Sequence, residues 1–242
     1  MTQKVVGVRV PPFAPPISPI PIQPGELPDL PAMPATSLPE DISPLTVNRL
    51  SVYLRCLRRL QELGETRTSS KALARRFHLS ATQIRKDLAQ FGEFGIRGVG
   101  YEVAELKEGL ETLLGVHRTH PAVLVGAGNI GTALARFPGF SSGGFRIFAI
   151  FDNDLDKVGR RIRDIEVFHS RDLGRVVAEV GAEIGILAVP AAAAQENCDA
   201  LVAAGIQAVL NFAPVQLEAG PAVRVKNVDL LIFLEELAFF LK

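Results

Sequence analysis

The hydrophobic rhythm of the chain changes near residue 120. Before that point apolar residues recur at intervals of three and four; beyond it, short apolar runs alternate with stretches of helical period. In "TVNRLSVYLRCLRRLQEL", residues 46–63, Val47, Leu50, Leu54, Leu57 and Leu60 share a face and Gly64 follows, which predicts an amphipathic helix. Two shorter helices are predicted next. Ser70 is placed to cap one, with Leu73, Ala74 and Phe77 inward; Ser80 is placed to cap the other, with Ile84, Leu88 and Phe91 at i, i+4 and i+7. The link His78-Leu79-Ser80 is as short as the turn of a helix-turn-helix. "FGEFGIRGVGYEV" then brings four glycines among apolar residues, suited to a tight β-hairpin or wing, and Ala104 to Leu114 reads as a helix ending at Gly115.

From Pro121 onward, strands are expected at Ala122–Val125, Phe145–Phe151, Glu166–His169, Ile184–Val189, Ile206–Asn211 and Ala222–Val225. Helices are expected near Gly131–Phe137, Asp172–Val180 and Ala191–Ala203. Such βαβ alternation implies an α/β fold with a doubly wound, mostly parallel sheet covered on both faces. The tail "DLLIFLEELAFFLK" is apolar nearly all round, so as a helix it must be buried. At the other end, residues 1–44 hold 12 of the 17 prolines, and proline's missing amide and fixed φ exclude helix and sheet interior there. That stretch also lacks the charged and apolar regions of a signal peptide. The expected division is a proline-rich disordered extension (1–44), a helical module (45–118), a nucleotide-binding module (119–228) and a terminal helix (229–242).

Composition sharpens this division. The net charge is zero. However, residues 45–118 carry 13 Lys and Arg against 8 Asp and Glu, whereas residues 119–242 carry 11 against 14. A basic module on a mildly acidic body points to a polyanionic partner for that module, with a solvated basic face as the alternative. No apolar run approaches the ~18–20 residues of a membrane span, so no membrane is expected. Cys56 and Cys198 have no metal-ligand spacing and read as buried thiols, in keeping with a reducing cytoplasm.

The most specific local chemistry lies in "VLVGAGNIGTAL". An apolar strand runs into Gly126-x-Gly128-x-x-Gly131 and then a helix, and Asp152 follows the next strand 21 residues after Gly131. In such a motif the first glycine makes the tight turn, the second admits a pyrophosphate and the third lets helix and strand pack closely. A carboxylate at Asp152 suits the ribose hydroxyls of NAD and repels a 2′-phosphate. A ligand-free Rossmann-like domain and a CoA-binding variant remain alternatives. His78, His117 and His120 are not placed like a hydride-transfer acid or base, His169 at a strand end reads as a surface or hydrogen-bonded histidine, and residues 212–242 are too few for a substrate domain. The dinucleotide therefore reads as a signal. An NAD-dependent oxidoreductase is the competing interpretation.

Taken in order, "RTSSKALARRFHLSATQIRKDLAQFGEFGIRGVGY", "VGAGNIGTAL", "FDNDLDKVG", "LAVP", "AAGIQAVLNFAPV" and "NVDLL" resemble the Rex family of redox-sensing transcriptional repressors, from about Leu45 to Lys242. The resemblance implies a homodimer of winged helix-turn-helix and Rossmann domains with an exchanged C-terminal helix. It also implies operator DNA as partner, NAD(H) as ligand and release from DNA by NADH. Contacts to the nucleotide are then expected from Gly126, Ala127, Gly128, Asn129, Ile130, Gly131, Asp152 and Lys157 at the adenine and pyrophosphate end. Val189, Pro190, Asn211 and Phe212 are expected towards the nicotinamide. For DNA, the expected residues are Ser70, Gln83, Arg85, Lys86 and Gln90, with Arg97 and Gly98 in the wing. The family reads the redox state with a tyrosine, an arginine of the first helix and an aspartate opening the last helix. Here those positions are Phe137, Arg55 and Asp229, followed by Leu230. Phe137 has no hydroxyl, and Leu230 stands where an aromatic is common, so the adenine end matches the family better than the redox-reading end.

Overall fold

The computed structural model describes residues 42–92, 94–96 and 98–241. The proline-rich stretch lies outside them up to residue 41, but its end does not belong to an extension. Ser43 caps and Pro44 opens the first helix, α1 (Pro44–Glu62), as suits a residue whose missing amide has no partner to lose in the first turn. Ile42 packs on the helical core.

That core gathers Leu50, Leu54, Leu57 and Leu60 of α1 with residues from α2 (Ser70–Phe77), α3 (Ala81–Leu88) and α4 (Val103–Leu113). Val47, expected inward, is 40% exposed, while Thr46 is buried. The 3.6-residue period carries the buried stripe onto Thr46, Leu50 and Tyr53, with Val47 past its border. Ser80 caps α3, its Oγ accepting from the Gln83 amide. For α2, however, the cap is Ser69 and not Ser70. Ser69 is extended and accepts from the Ala72 amide, whereas Ser70 is buried within the first turn. The glycine-rich segment forms a tight turn closed by one antiparallel bridge, Ile96 to Gly100. Among the described residues it forms no two-stranded hairpin: the strand that follows, β2 (Tyr101–Glu102), pairs with β1 (Arg67–Thr68) ahead of α2.

After α4 the chain enters β3 (His120–Val125), α5 (Asn129–Ala135), the short α6 (Gly139–Ser142) and β4 (Phe145–Asp152). The hairpin β5 (Arg161–Ile162) and β6 (Ile165–His169) leads through a 3₁₀ turn to α7 (Leu173–Val180), β7 (Ile184–Leu187), α8 (Ala191–Ala203), β8 (Ala208–Asn211), β9 (Arg224–Asn227) and α9 (Leu230–Phe239). Sheet order is β5-β6-β4-β3-β7-β8-β9, with β5 antiparallel and the remaining pairs parallel. Strand β3 shows why the apolar runs are continuous. Val123 and Val125 pack with α7 and α8 on one face, Ala122 and Leu124 on the other, all within 1% of complete burial. Each such side chain is worth about 1.5–3 kcal/mol. Cys56 and Cys198 are buried free thiols, as the sequence implied.

One buried polar cluster fixes α3 against α1. Asp87 has no solvent exposure. Its carboxylate accepts from Arg49 Nε at 2.6 Å and Nη2 at 2.9 Å, from the Tyr53 hydroxyl at 2.9 Å and from Gln83 Nε2 at 2.6 Å. Burial pushes the carboxyl upward, but Arg49, Gln83 and Tyr53 outweigh it and hold Asp87 below the usual carboxylate range. Removing it strands donors built around a charge. Asp87→Ala is expected to cost about 3 kcal/mol, the low end for a broken buried pair because Arg49 is partly solvated. Since Asp87 ionises more readily folded than unfolded, its contribution is complete above about pH 4 and fades as pH falls below that. Thermal melts of the parent and variant from pH 7 to pH 3 check both statements: their difference should shrink on acidification.

Candidate functional site

The C-terminal ends of β3, β4 and β7 frame a crevice where the strand order reverses, the usual ligand position in an open α/β sheet. The three glycines of its loop differ in role. Gly126 has φ +102°, and a Cβ there would lie 2.3 Å from the Ala188 carbonyl oxygen. A Cβ on Gly131 would lie 1.8 Å from the carbonyl oxygen of Gly126, so these two are glycine because the protein's own backbone leaves no room. At Gly128 a Cβ would meet nothing within 4 Å; its open side faces the crevice. Gly128 is also the N-cap of α5 and offers no side chain to the first-turn amides. The helix starts at Asn129, two residues earlier than the pattern predicts.

Asp152 ends β4 with its side chain 14% exposed. Oδ2 accepts from the Ala127 amide at 2.8 Å and Oδ1 from the Asp154 amide at 2.9 Å, while Lys157 Nζ stands 3.2 Å from Oδ2. Burial raises its pKa; the two amides and Lys157 overcome that and keep the group ionised below its ordinary range. The cavity, about 350 Å³, is lined by Gly126, Gly128, Asp152, Lys157, Val189 and Pro190 among the expected residues. It also includes Asn153, Ser170 and Asn197, which sequence reasoning missed. Ser170 had a readable signal, since it directly follows a strand ending on the crevice side. Ile130 is half exposed on the first turn of α5. The donor set fits a dinucleotide: an acceptor for ribose hydroxyls, a cation beside it and an unobstructed backbone at Gly128.

Asn211 sits elsewhere. It is fully buried, and its Nδ2 donates to the Ala213 and Val215 carbonyls and Asn227 Oδ1, while Oδ1 accepts from the Ala213 amide. Phe212 packs against the core on the α5 side. Nor does a single chain bring Arg55, Phe137, Asp229 and Leu230 together: among the described residues, no hydrogen bond joins them. Arg55 is exposed without an ion pair, Phe137 is 55% exposed and edge-on to Phe140, and Asp229 caps α9 through the Leu231 amide.

On the helical side, α3 exposes Arg85 and Lys86, and Gln90 is exposed in the turn that follows it. Arg85 is braced at Nη1 by the Ser70 hydroxyl at 3.0 Å and at Nη2 by the Thr82 hydroxyl at 3.2 Å, so Ser70 acts through the arginine. Gln83, expected to face DNA, has its amide nitrogen committed to Asp87. Beside α3 lies a groove of about 990 Å³ whose walls include Ser69, Lys71, Arg85, Gly98 and Val99. Gly98 has φ +87°. Arg97 lies outside the described residues.

Comparison with known proteins settles the relationship. A family model described as a CoA binding domain matches residues 117–215, and one described as a putative DNA-binding protein N-terminus matches residues 41–89. The redox-sensing transcriptional repressor Rex of Pelotomaculum thermopropionicum is 47% identical over 207 residues, covering 86% of this chain and 95% of that protein. The chain belongs to the Rex family of redox-sensing transcriptional repressors. The Rex of Streptomyces coelicolor is 42% identical over 209 residues, 86% of this chain and 80% of that one. Among solved structures, the Rex-family repressor RSP in complex with β-NAD⁺ and operator DNA is 37% identical, covers 84% of this chain and 94% of its own, and superposes with a TM-score of 0.79. RSP in complex with β-NADH, 36% identical over 83% of this chain and 94% of its own, gives 0.75. The chain is thus a transcriptional regulator and not an enzyme, with an N-terminal DNA-binding helical domain and a C-terminal, mostly parallel Rossmann-like sheet. Among the described residues no helix is long and apolar enough to cross a membrane.

Proposed function

We propose that this chain is a homodimeric winged-helix repressor that binds operator DNA through residues 45–118, binds NAD(H) through residues 119–228 and is released from DNA by NADH. The observation that carries the proposal is the ionised Asp152 carboxylate held beside an open Gly128. That pair receives ribose hydroxyls and a pyrophosphate and disfavours a 2′-phosphate. It also favours NAD(H) over the CoA named by the matched domain model. Arg85 and Lys86 are the bases and phosphates' partners on the second helix of the helix-turn-helix, where major-groove docking places such side chains. Electrophoretic mobility shifts on promoter fragments, with NAD⁺, NADH or CoA added, test the proposal. Binding that NADH abolishes and CoA leaves intact is expected; no shift with any nucleotide would overturn it. Arg85→Ala or Lys86→Ala should weaken operator binding by roughly 1–3 kcal/mol while NADH titration by fluorescence is unchanged.

The dimer is supported by α9. Leu230, Leu231, Ile232, Phe233, Leu234 and Leu237 are each 58% exposed or more, on every side of the helix. A helix apolar all round is buried in its working state, and exchange with a second copy buries it. Deleting residues 229–242 should therefore convert a dimer in light scattering into monomers or aggregates.

Exchange would also bring Asp229 and Leu230 of one copy towards Arg55 and Phe137 of the other. Without a hydroxyl, Phe137 cannot join a charge-assisted hydrogen bond between Arg55 and Asp229. Nucleotide binding persists on this proposal, but NADH and NAD⁺ are told apart less sharply. Phe137→Tyr should then lower the NADH concentration needed for operator release relative to NAD⁺ competition. An already sharp parent response, unchanged by the tyrosine, would refute this.

A further inference from the structure

The loop after β4 holds more acid than a ribose diol needs. It reads Asp152-Asn153-Asp154-Leu155-Asp156-Lys157, so three carboxylates precede one lysine. Asp152 supplies the acceptor of the crevice, and Lys157 lines the same cavity. Asp154 stands outside the cavity wall and is exposed. Its charge therefore has no part in receiving ribose hydroxyls, and a different task has to account for it.

The two carboxylate oxygens of Asp154 have separate partners. Oδ1 accepts from the Asp156 amide at 3.0 Å, the Asx turn that shapes the loop. Oδ2 lies 3.4 Å from Lys157 Nζ. The backbone of Asp154 draws the same groups together. Its amide donates to Asp152 Oδ1 at 2.9 Å, and its carbonyl accepts from the Lys157 amide at 2.9 Å and the Val158 amide at 3.1 Å. The lysine ammonium is thus held between two acids, 3.2 Å from Asp152 and 3.4 Å from Asp154. Asp152 most, and Asp154 after it, push its pKa above the usual lysine range.

A free ammonium in a nucleotide crevice attracts phosphate, and here that attraction works against selectivity. A 2′-phosphate carries a charge of about −1.5 to −2, whereas ribose hydroxyls carry none. With Asp152 alone, the lysine and the carboxylate would cancel, leaving a donor that a 2′-phosphate could take. Asp154 changes the balance: one cation now faces two anions. We propose that Asp154 is a positioning residue for nucleotide selectivity, which holds Lys157 against Asp152 and cancels the positive charge that would otherwise draw NADP(H) into the crevice. It touches no nucleotide and acts through the lysine. The inference rests on the NAD(H) reading of the crevice and adds to it a second carboxylate with a separate task.

Two substitutions separate the charge of Asp154 from its turn. Asp154→Asn keeps an oxygen for the Asp156 amide and removes the charge; Asp154→Glu keeps the charge and lengthens the arm that makes the turn. Fluorescence titrations of the full chain with NADH and with NADPH give the ratio of the two dissociation constants. In Asp154→Asn, NADPH should gain roughly fivefold in affinity relative to NADH, the size expected of one screened charge beside a phosphate. Raising the salt to about 0.5 M should shrink that gain. Asp154→Glu should keep the parent ratio, and adding Lys157→Met to Asp154→Asn should abolish the gain. A parent-like ratio in Asp154→Asn, a shift in Asp154→Glu alone, or a gain that survives loss of Lys157 overturns the inference. A parent that binds neither nucleotide overturns the NAD(H) reading itself, and the inference with it. Failure confined to the ratio overturns the inference alone.

Discussion

A carboxylate without solvent governs the helical lobe. Desolvating Asp87 costs several kcal/mol, and the cost is offset only while its hydrogen bonds keep good geometry. Arg49 and Tyr53 come from α1 and Gln83 from one turn earlier on α3, so the cluster tolerates little sliding or rotation of one helix on the other. The apolar contacts of Ile84 and Leu88 would accept several nearby packings; the charge accepts one. Arg85 and Lys86, immediately before Asp87, are thereby turned outward together, and Ser70 removes part of the arginine's remaining freedom. The acid in the middle of a basic helix is what aims the bases.

The polar residues of the sheet divide in the same way between those that are spent and those that are offered. Asn211 commits its side chain to the turn after β8 and to β9, and its carbonyl accepts from the Val228 amide at 2.8 Å. It therefore directs the chain into Asp229 and α9 from inside the protein. Asp152 is arranged differently: it takes two amides and a lysine yet keeps an edge on the cavity. Residue type alone does not separate these roles. Both lie at strand ends on the same side of the sheet, and the difference is whether the loop that follows folds back over the side chain.

What the sequence made legible follows from this. Strands β3, β4 and β7 are buried on both faces, so their runs of Val, Ile and Leu declare themselves, and α8 was bounded correctly at both ends by the proline before it and the loss of pattern after it. Spacing also separated the glycines from their surroundings: Gly126 and Gly131 sit where the backbone leaves no room for a side chain, and Gly128 keeps the crevice open. Elements of two to four residues, such as β1, β5 and α6, have no period to detect. The Ser69–Ser70 pair offered two equivalent caps, and backbone dihedrals chose between them. Gln83 reads as a DNA-facing position and Asp87 gives no signal, since nothing local reveals that Arg49 and Tyr53, more than thirty residues earlier, close over Asp87. Ser170, Asn153 and Asn197 become neighbours only when three strand ends converge.

Strand β3 spans six residues, from His120 to Val125, about 20 Å at the rise of an extended chain. Gly126 begins the nucleotide loop at one end, and His120 touches the helical lobe at the other. Hydrogen-bonded to β4 and β7 on its two sides, it cannot buckle, so it acts as a strut with one fitting at each tip. Groups this far apart with no shared partner contribute nearly additively. Substitutions at the two tips are therefore expected to change stability nearly independently, so the nucleotide loop can vary without loosening the strand's anchor at the helical lobe.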